Sequence, residues 1–484
     1  MTNTGAADCL IVRRRIADTE TPISALLKIG ADTPGHFLFE SIQGGHQLGR
    51  YSFIGLHPDL WWRVADGKAE TARDSGFTDI VSVSDDPLTD LDTFTQAARA
   101  VSDEDLPPMA AGAFGYLGYD MVRYYEPVGD KPEDVLNLPE AIMVRPRVVL
   151  IFDHLFQELI LVGSVRYSTD GENAEVIANQ HLDDVEEKLD TPTRITPRGQ
   201  SERELDFQSN ISEERYSEIV ETARDYIKAG DIFQVVPSQR FSCPYPYSSL
   251  AFYRALRSLN PSAFMFHMRL GGAQLVGSSP EILVRVRDGR MSVRPIAGTR
   301  PRTNDKAENM RQQESLLADE KECAEHLMLL DLGRNDVGRV CEYGSVEVTE
   351  SFVVEHYSHV MHIVSQVEGN LRSDKTLKDA LMAGFPAGTV SGAPKIRAMQ
   401  IIDELEGNAR GVYGGAVGYF GWKGDLDTCI ALRTAVIADN KLHIQAGGGV
   451  VLDSDPSYEY AETMHKSRAL KRAAEMAAKY EGNS

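Results

Sequence analysis

The chain has 484 residues, of which 50 are Lys or Arg and 72 are Asp or Glu, a formal net charge of −22. This excess excludes a nucleic-acid binder, which needs a basic stripe to displace counterions from phosphates, and disfavours an anionic membrane surface. With 42% hydrophobic and 25% charged residues the composition is that of a folded globular protein; at roughly 150 residues per domain, its length allows about three domains or one large core with insertions.

The five cysteines (Cys9, Cys243, Cys323, Cys341, Cys429) are widely spaced and form no Cys-x-x-Cys pair. Neither a disulfide framework nor a zinc site is expected, and a reducing cytoplasm is the compartment that fits. The N-terminus is polar and lacks the apolar core of a secretory signal. The most apolar stretch, Val148 to Val162, is interrupted by Asp153, His154, Gln157 and Glu158, too short and too polar to span a bilayer.

In chain order, the first part runs from Asp18 to Tyr167, where Arg147–Phe152 and Leu159–Val162 read as paired strands. An acidic helical stretch leads to Thr191–Pro197, a Pro- and Thr-rich run expected to be a linker. The second part starts near Ser209. Tyr216, Ile219, Val220, Ala223 and Ile227 recur at helical spacing, with Gly230 as the C-terminal cap. Ile232–Val236 follows as a strand, and Leu316–Leu332 has helical periodicity. Of 40 glycines, 13 fall between Gly384 and Gly449, which means either close backbone approach or many tight turns.

Several segments have chemistry to offer, each with a bland alternative. Glu322 and Glu325 are three apart on a predicted helix, and so are Glu459 and Glu462, after the helix-starting pair Asp455-Pro456. Residues three apart share a helix face, so the doublets are either solvated faces or hard oxygen ligands suited to Mg²⁺. Gly384–Lys395 is a glycine-rich turn feeding a helix from Pro394 to Glu406, a geometry that suits an anion, but its spacing is not that of a P-loop. Ala446–Val451, after the strand Lys441–Gln445, holds three consecutive glycines and is either a hairpin turn or a backbone that a ligand approaches. His362 is a core histidine or an acid–base group. Arg433 requires a carboxylate, from the protein or from a substrate. Tyr413 begins a glycine-rich strand and could serve packing alone. No nucleophile elbow or Cys-His pattern supports covalent hydrolysis.

Five segments together, in order and spacing, resemble the chorismate-utilising enzymes: Pro295–Arg302, Glu325–Asp336, Gly384–Lys395, Tyr413–Tyr419 and Ala446–Val451. The likeness spans Ser209 to Ala474, and extends more thinly to the N-terminal part through Phe39–Ser41 and Gly49–Gly55. It implies an α+β fold with large antiparallel β-sheets packed as a sandwich and helices on the outside. It also implies three regions: a regulatory one at 18–167, an acidic helix and linker at 168–208, and a chorismate-binding catalytic one at 209–475. Two positions narrow the branch. Aminodeoxychorismate-forming members typically carry a nucleophilic lysine where this chain has Ala297, and isochorismate- and salicylate-forming members carry a water-activating lysine where it has Gln234. Ammonia is left as the nucleophile, which implies the anthranilate-forming branch, releasing pyruvate in the first committed step of tryptophan biosynthesis.

By the same resemblance Glu325 and Glu462 would ligate Mg²⁺ directly, with Glu322 and Glu459 beside them. Gly298, Thr299, Tyr413, Arg433, Gly447 and Gly449 would contact substrate. Glu281 and Thr389 match polar catalytic positions, Glu281 as general acid for the departing hydroxyl, and His362 matches the residue associated with pyruvate elimination. The chain is too short to include a glutaminase, so a separate glutamine amidotransferase subunit is expected to deliver ammonia within a hetero-oligomer. Ser41 and Ala263-Phe264-Met265 match the segments that bind tryptophan as feedback inhibitor, although the family more usually reads Pro-Tyr-Met at the latter. The alternatives are an enzyme that stops at 2-amino-2-deoxyisochorismate and a silent subunit that kept the fold.

Overall fold

The two most apolar strands, Ala141–Asp153 and Glu158–Val165, pair antiparallel from Val148↔Gly163 to Asp153↔Glu158, which places the expected runs 147–152 and 159–162 side by side. They belong to a computed structural model that describes residues 7–43, 47–192, 202–303, 305–357 and 360–481. Residues 193–197 of the expected linker lie outside the described residues.

Among the described residues, two short strands pair separately and 21 join into one continuous hydrogen-bonded ladder. Pairing between its named strands is antiparallel throughout the described residues. The ladder interleaves the two parts of the sequence. Phe37–Gln43 lies between Gln47–Ala65 and Phe264–Leu270. Gly112–Leu117 lies between Ala141–Asp153 and Ala416–Gly421.

Alternate residues along these strands feed different cores, as the two-residue side-chain period requires. Phe37, Phe39, Val149, Ile151, Phe266 and Met268 enter an aromatic-rich layer that also holds Phe53, Phe114 and Tyr419. Their neighbours Leu38, Val148, Leu150 and Met265 point the other way, into a core that includes Leu182, Phe252 and Leu470 from three helices. A further core contains Leu91, Leu330, Leu381 and Met399, again from helices. Both faces of the strands are therefore covered, which explains why Ala141–Asp153 reads as a nearly unbroken apolar run. Ring packing fixes some glycines: a Cβ on Gly55 would lie 2.0 Å from the Phe37 ring, and one on Gly277 2.1 Å from Phe266. Among the described residues no helix is long and apolar enough to cross a membrane.

Several local expectations change. The periodic run Leu316–Leu332 is two helices, Lys306–Ala318 and Glu320–Gly338, because the Asp319 side chain accepts from the Lys321 and Glu322 amides and starts a new helix instead of continuing the old one. The strand expected at 232–236 is only Gln234–Val235, since its partner Gly392–Ala393 is equally short. Tyr413 does not begin a strand; it stands in a turn ahead of Ala416–Gly421. The helix after the glycine-rich turn runs Lys395–Glu406 with Pro394 as its N-cap.

Candidate active site

Gln234–Val235 is the crossing point of the site. It pairs with Gly392–Ala393 on one side, and Val235 exchanges backbone hydrogen bonds with Val450 on the other. The glycine-rich turn and the triple glycine are thereby held on either flank of one short strand. The Gln234 side chain, 4% exposed, donates from Nε2 to Glu325 Oε1 at 3.0 Å and so ties this crossing to the Glu320–Gly338 helix.

The triple glycine is a close approach. A Cβ on Gly447 would lie 2.9 Å from the Tyr413 hydroxyl. One on Gly448 would lie 2.9 and 3.0 Å from the carboxylate oxygens of Glu462 and Glu459, and one on Gly449 2.7 Å from Gln234 Nε2. Each glycine thus faces a different expected site residue. Helix Pro456–Met476, started by Asp455 accepting from the Tyr458 amide, presents Glu459, Glu462 and Lys466 toward this run. Lys466 donates to the Gly447 carbonyl at 2.9 Å and pairs with Glu462 at 3.2 Å.

Across the cleft, Gly298 takes φ +68 at a bulge in strand Ile296–Pro301, a backbone that favours glycine, with its missing Cβ 3.1 Å from Glu322 Oε2. The Gly298 carbonyl accepts from His362 Nδ1 at 2.8 Å, and Thr299 Oγ1 is 3.1 Å from the same nitrogen. A proton held on Nδ1 by that carbonyl leaves the Nε2 lone pair free. Burial, with Arg433 nearby, lowers the His362 pKa, so the ring is neutral at neutral pH. The Tyr357 ring packs edge-on against it, centroids 5.3 Å apart.

Glu281 follows strand Ala273–Ser279 and accepts from Thr389 Oγ1 at 3.0 Å. Burial raises its pKa against the opposing effect of Thr389, Arg433 and Lys466. Arg433 sits between strands Leu426–Ile430 and Thr434–Ala438 with φ +47. Among the described residues no carboxylate forms a salt bridge with its guanidinium, and burial lowers its pKa although Glu281 and Tyr357 are near. A cation in this state favours an incoming anion.

The four expected metal-site acids stand as two doublets. Among the described residues no group of three or more His, Cys, Asp or Glu converges closely enough to hold an ion. Their chemistry nevertheless suits a divalent cation. Burial, and then the charge of Glu462, pushes the Glu459 carboxyl up to about 7, despite a hydrogen bond from Ser454. Burial raises Glu325, helped by Glu322 and Glu462. Lys466 and Arg300 offset only part of this repulsion, at Glu462 and Glu322, and repulsion among hard oxygen donors is what Mg²⁺ relieves.

A cavity of about 610 Å³ lies on the other side of this wall, lined by Phe39, Ser41, Ala263, Phe264 and Tyr419 among others. Pro280 and Ile282, which flank Glu281, also line it, as does Tyr357. Of the four residues expected to bind a regulator, Ser41, Ala263 and Phe264 reach this cavity. The Met265 side chain is buried in the opposite core because it is one residue out of phase along its strand. Glu40 is held by Tyr253 at 2.5 Å and by Arg257 at 2.8 Å.

Some site groups escaped the sequence reading. Lys466 looks like half of an ordinary Glu–Lys helix pair. Arg300, which reaches Asp319 at 2.7 Å and Glu322 at 3.2 Å, lay within a recognised segment without a role. Lys395 forms a buried pair with Asp336 at 2.9 Å, joining the glycine-rich turn to the Glu320–Gly338 helix. Gln234 entered the sequence reading only as a branch marker; the charge of Lys395 at the end of a glycine-rich turn could have singled it out, whereas Lys466 stands among polar helix residues that carry no such signal.

Comparison with known proteins agrees with this architecture. Residues 38–472 match the family model described as chorismate binding enzyme. The chain is 49% identical over 472 residues to anthranilate synthase component 1 of Cereibacter sphaeroides, covering 96% of this chain and 94% of the relative. It is 47% identical over 462 residues to anthranilate synthase component 1 of Thermus thermophilus, covering 96% and 97%. The crystal structure of anthranilate synthase component I from Streptococcus pneumoniae superposes with a TM-score of 0.79 at 38% identity, covering 95% of this chain and 99% of that one. The menaquinone-specific isochorismate synthase of Escherichia coli shares the fold, with a TM-score of 0.73 at 19% identity over 97% and 95%. The chain belongs to the chorismate-binding enzyme family.

Proposed function

We propose that this chain is the large subunit of an anthranilate synthase, converting chorismate and ammonia to anthranilate and pyruvate. The observation that carries the reading is a pair of proton-handling groups, both near Arg433, whose pKa values are shifted in opposite directions. Glu281 is biased toward its protonated form, and His362 is held neutral with Nε2 free. Loss of the 4-hydroxyl of chorismate as ammonia adds at C2 calls for an acid, and Glu281 with Thr389 is suited to supply that proton. Removal of the C2 proton with loss of enolpyruvate calls for a base, and His362 Nε2 is suited to take it. Arg433 and the amides of Gly447 and Gly449 would grip the enolpyruvyl carboxylate, with Gly298, Thr299 and Tyr413 closing the pocket.

Glu325 and Glu462 would hold Mg²⁺, with Glu322 and Glu459 beside them; a bound ion would supply Lewis acidity at the ring carboxylate. Gln234 and Ala297, in place of the lysines of other branches, support ammonia as nucleophile. The naming of the relatives as component 1 supports a separate glutamine amidotransferase partner. The aromatic cavity that holds Ser41, Ala263 and Phe264 supports tryptophan as feedback inhibitor, acting from the N-terminal region.

The test is to offer the isolated chain chorismate and Mg²⁺ with either an ammonium salt or glutamine. Anthranilate fluorescence with ammonium alone is expected. Equal efficiency with glutamine would count against a separate glutaminase, and a non-aromatic amino product would replace this reading by a synthase that stops at the intermediate.

A further inference from the structure

Among the described residues Arg410 meets one group assigned to substrate, the Tyr413 ring, and several of its other partners adjoin site residues. It follows helix Lys395–Glu406 and the left-handed cap Gly407, and its side chain is 1% exposed. Four of its five N–H donors are engaged, each with a different acceptor atom. Nε reaches Glu406 Oε2 at 3.0 Å, and one terminal nitrogen reaches Glu406 Oε1 and the Val236 carbonyl, both at 2.6 Å. The other terminal nitrogen reaches the Val390 carbonyl at 2.6 Å. The guanidinium also lies over the rings of Tyr119 at 4.8 Å and Tyr413 at 5.5 Å. Glu406, 6% exposed, accepts in addition from the Ser238 amide at 2.7 Å and its hydroxyl at 2.9 Å.

Each of these contacts is next to a site residue. Val390 follows Thr389, the partner of Glu281. Val236 is two residues past Gln234, the partner of Glu325. Ser238 pairs with Gly447 in the ladder, and Tyr413 stands over Gly447. Four segments that meet nowhere else in the sequence are therefore spaced by one ion pair.

A buried pair of this kind contributes little net stability, because desolvation of both charges offsets their attraction, and apolar replacements of equal size are often tolerated. Its value here is geometric. A planar fork reaching two loop carbonyls and a carboxylate at once fixes three distances, which a lysine ammonium cannot do. We infer that Arg410 and Glu406 are positioning residues that set the spacing of Thr389, Gln234, Tyr413 and Gly447 for the reaction. The inference rests on the function proposed above.

The test uses two variants of the full chain, with kcat expressed per folded molecule. Arg410→Lys keeps the charge but loses the fork, and kcat for anthranilate should fall about 100-fold, the usual cost of an ångström-scale misplacement. The double variant Arg410→Met, Glu406→Leu fills the same space without charge; it should melt within a few degrees of the parent and still lose activity to a similar degree. The share of turnover released as a non-aromatic amino intermediate should rise in both, because a shifted Gly447 amide loosens its grip on the enolpyruvyl carboxylate and the intermediate leaves before His362 acts on it. Retention of kcat within threefold in both folded variants, or activity that simply follows the folded fraction, would overturn the inference. Inactivity of the parent chain would instead strike the proposed function, which keeps the two failures distinct.

Discussion

The cleft has two sides of different construction. On the side built from residues 234–239, 388–393 and 410–449, the polar groups behind the site are buried and engaged, with side-chain exposures of 1% for Arg410 and 6% for Glu406. On the facing side, helix Glu320–Gly338 carries Glu322 and Glu325, and Arg300 ties it at Asp319 and Glu322 with exposures of 21%, 34% and 27%. Between the two, Gln234 reaches across to Glu325. One side is thus a preorganised set of donors and a cation, Arg433, aimed at fixed points. The other carries negative charge at the start of a helix whose ties there, through Arg300, are partly open to water and weakened by it, although its far end is held by the buried Lys395–Asp336 pair. Substrate carboxylates gain from rigidity, because preorganised donors cost no rearrangement on binding. Under the proposed function, acids that ligate Mg²⁺ would gain from being able to draw together on it, and among the described residues they form no cluster of three or more.

Substitutions on the two sides should therefore differ in size. The largest effect is expected at Arg433. Arg433→Leu removes a buried cation that forms no salt bridge among the described residues, and kcat/KM for chorismate should fall by roughly 10³-fold, about 4 kcal/mol, in line with losing one partner of a buried charge pair. Steady-state anthranilate fluorescence measures it; a loss under tenfold would mean that substrate is gripped elsewhere. On the facing side, Glu325→Gln keeps the shape but not the charge. It should raise the Mg²⁺ concentration needed for half activity by at least about tenfold, with metal titration as the readout, and a chelator should abolish activity in the parent.

A third effect concerns proton handling. Thr389 opposes the burial that raises the Glu281 pKa, so Thr389→Val should raise it further. In the proposed role the working form of Glu281 is protonated and is lost as pH rises through its pKa; the alkaline limb of the kcat profile should therefore move to higher pH, with kcat down about five- to tenfold. The acid limb is assigned by the same proposal to His362, whose folded pKa is lowered below 6.5, and should stay where it is. Movement of the acid limb instead would exchange the two roles. The smallest effect is expected at Arg300. Its ties are partly exposed pairs worth about 0–1 kcal/mol, so Arg300→Lys should change kcat less than about threefold. A hundredfold loss there would erase the contrast between the two sides.

The sequence disclosed the pieces of this arrangement better than their assembly. The acidic doublets were visible because a spacing of three marks one helix face, and the Asp455-Pro456 start announced the second helix. That the doublets stand across a cleft from each other was not visible, because it depends on Val235 crossing between Gly392 and Val450, a pairing of segments far apart in sequence. The break at Asp319 escaped because Leu-Ala-Asp-Glu-Lys is made of good helix formers, and an N-cap inside such a run resembles an ordinary acidic position. Arg410 and Glu406, four residues apart around a glycine, look like a solvated pair until Val236 and Val390 close over them. The interleaving of Phe37–Gln43 with Phe264–Leu270 is likewise a matter of non-local register, which composition and periodicity do not encode.

The most direct test of the functional account is stoichiometry. Chorismate, an ammonium salt and Mg²⁺ are supplied to the purified chain, and anthranilate and pyruvate are quantified in the same sample over time. The account predicts that the two appear together in equal amounts, as Glu281 and His362 complete both eliminations in one cleft. Pyruvate without anthranilate, or an amino product without pyruvate, would contradict it.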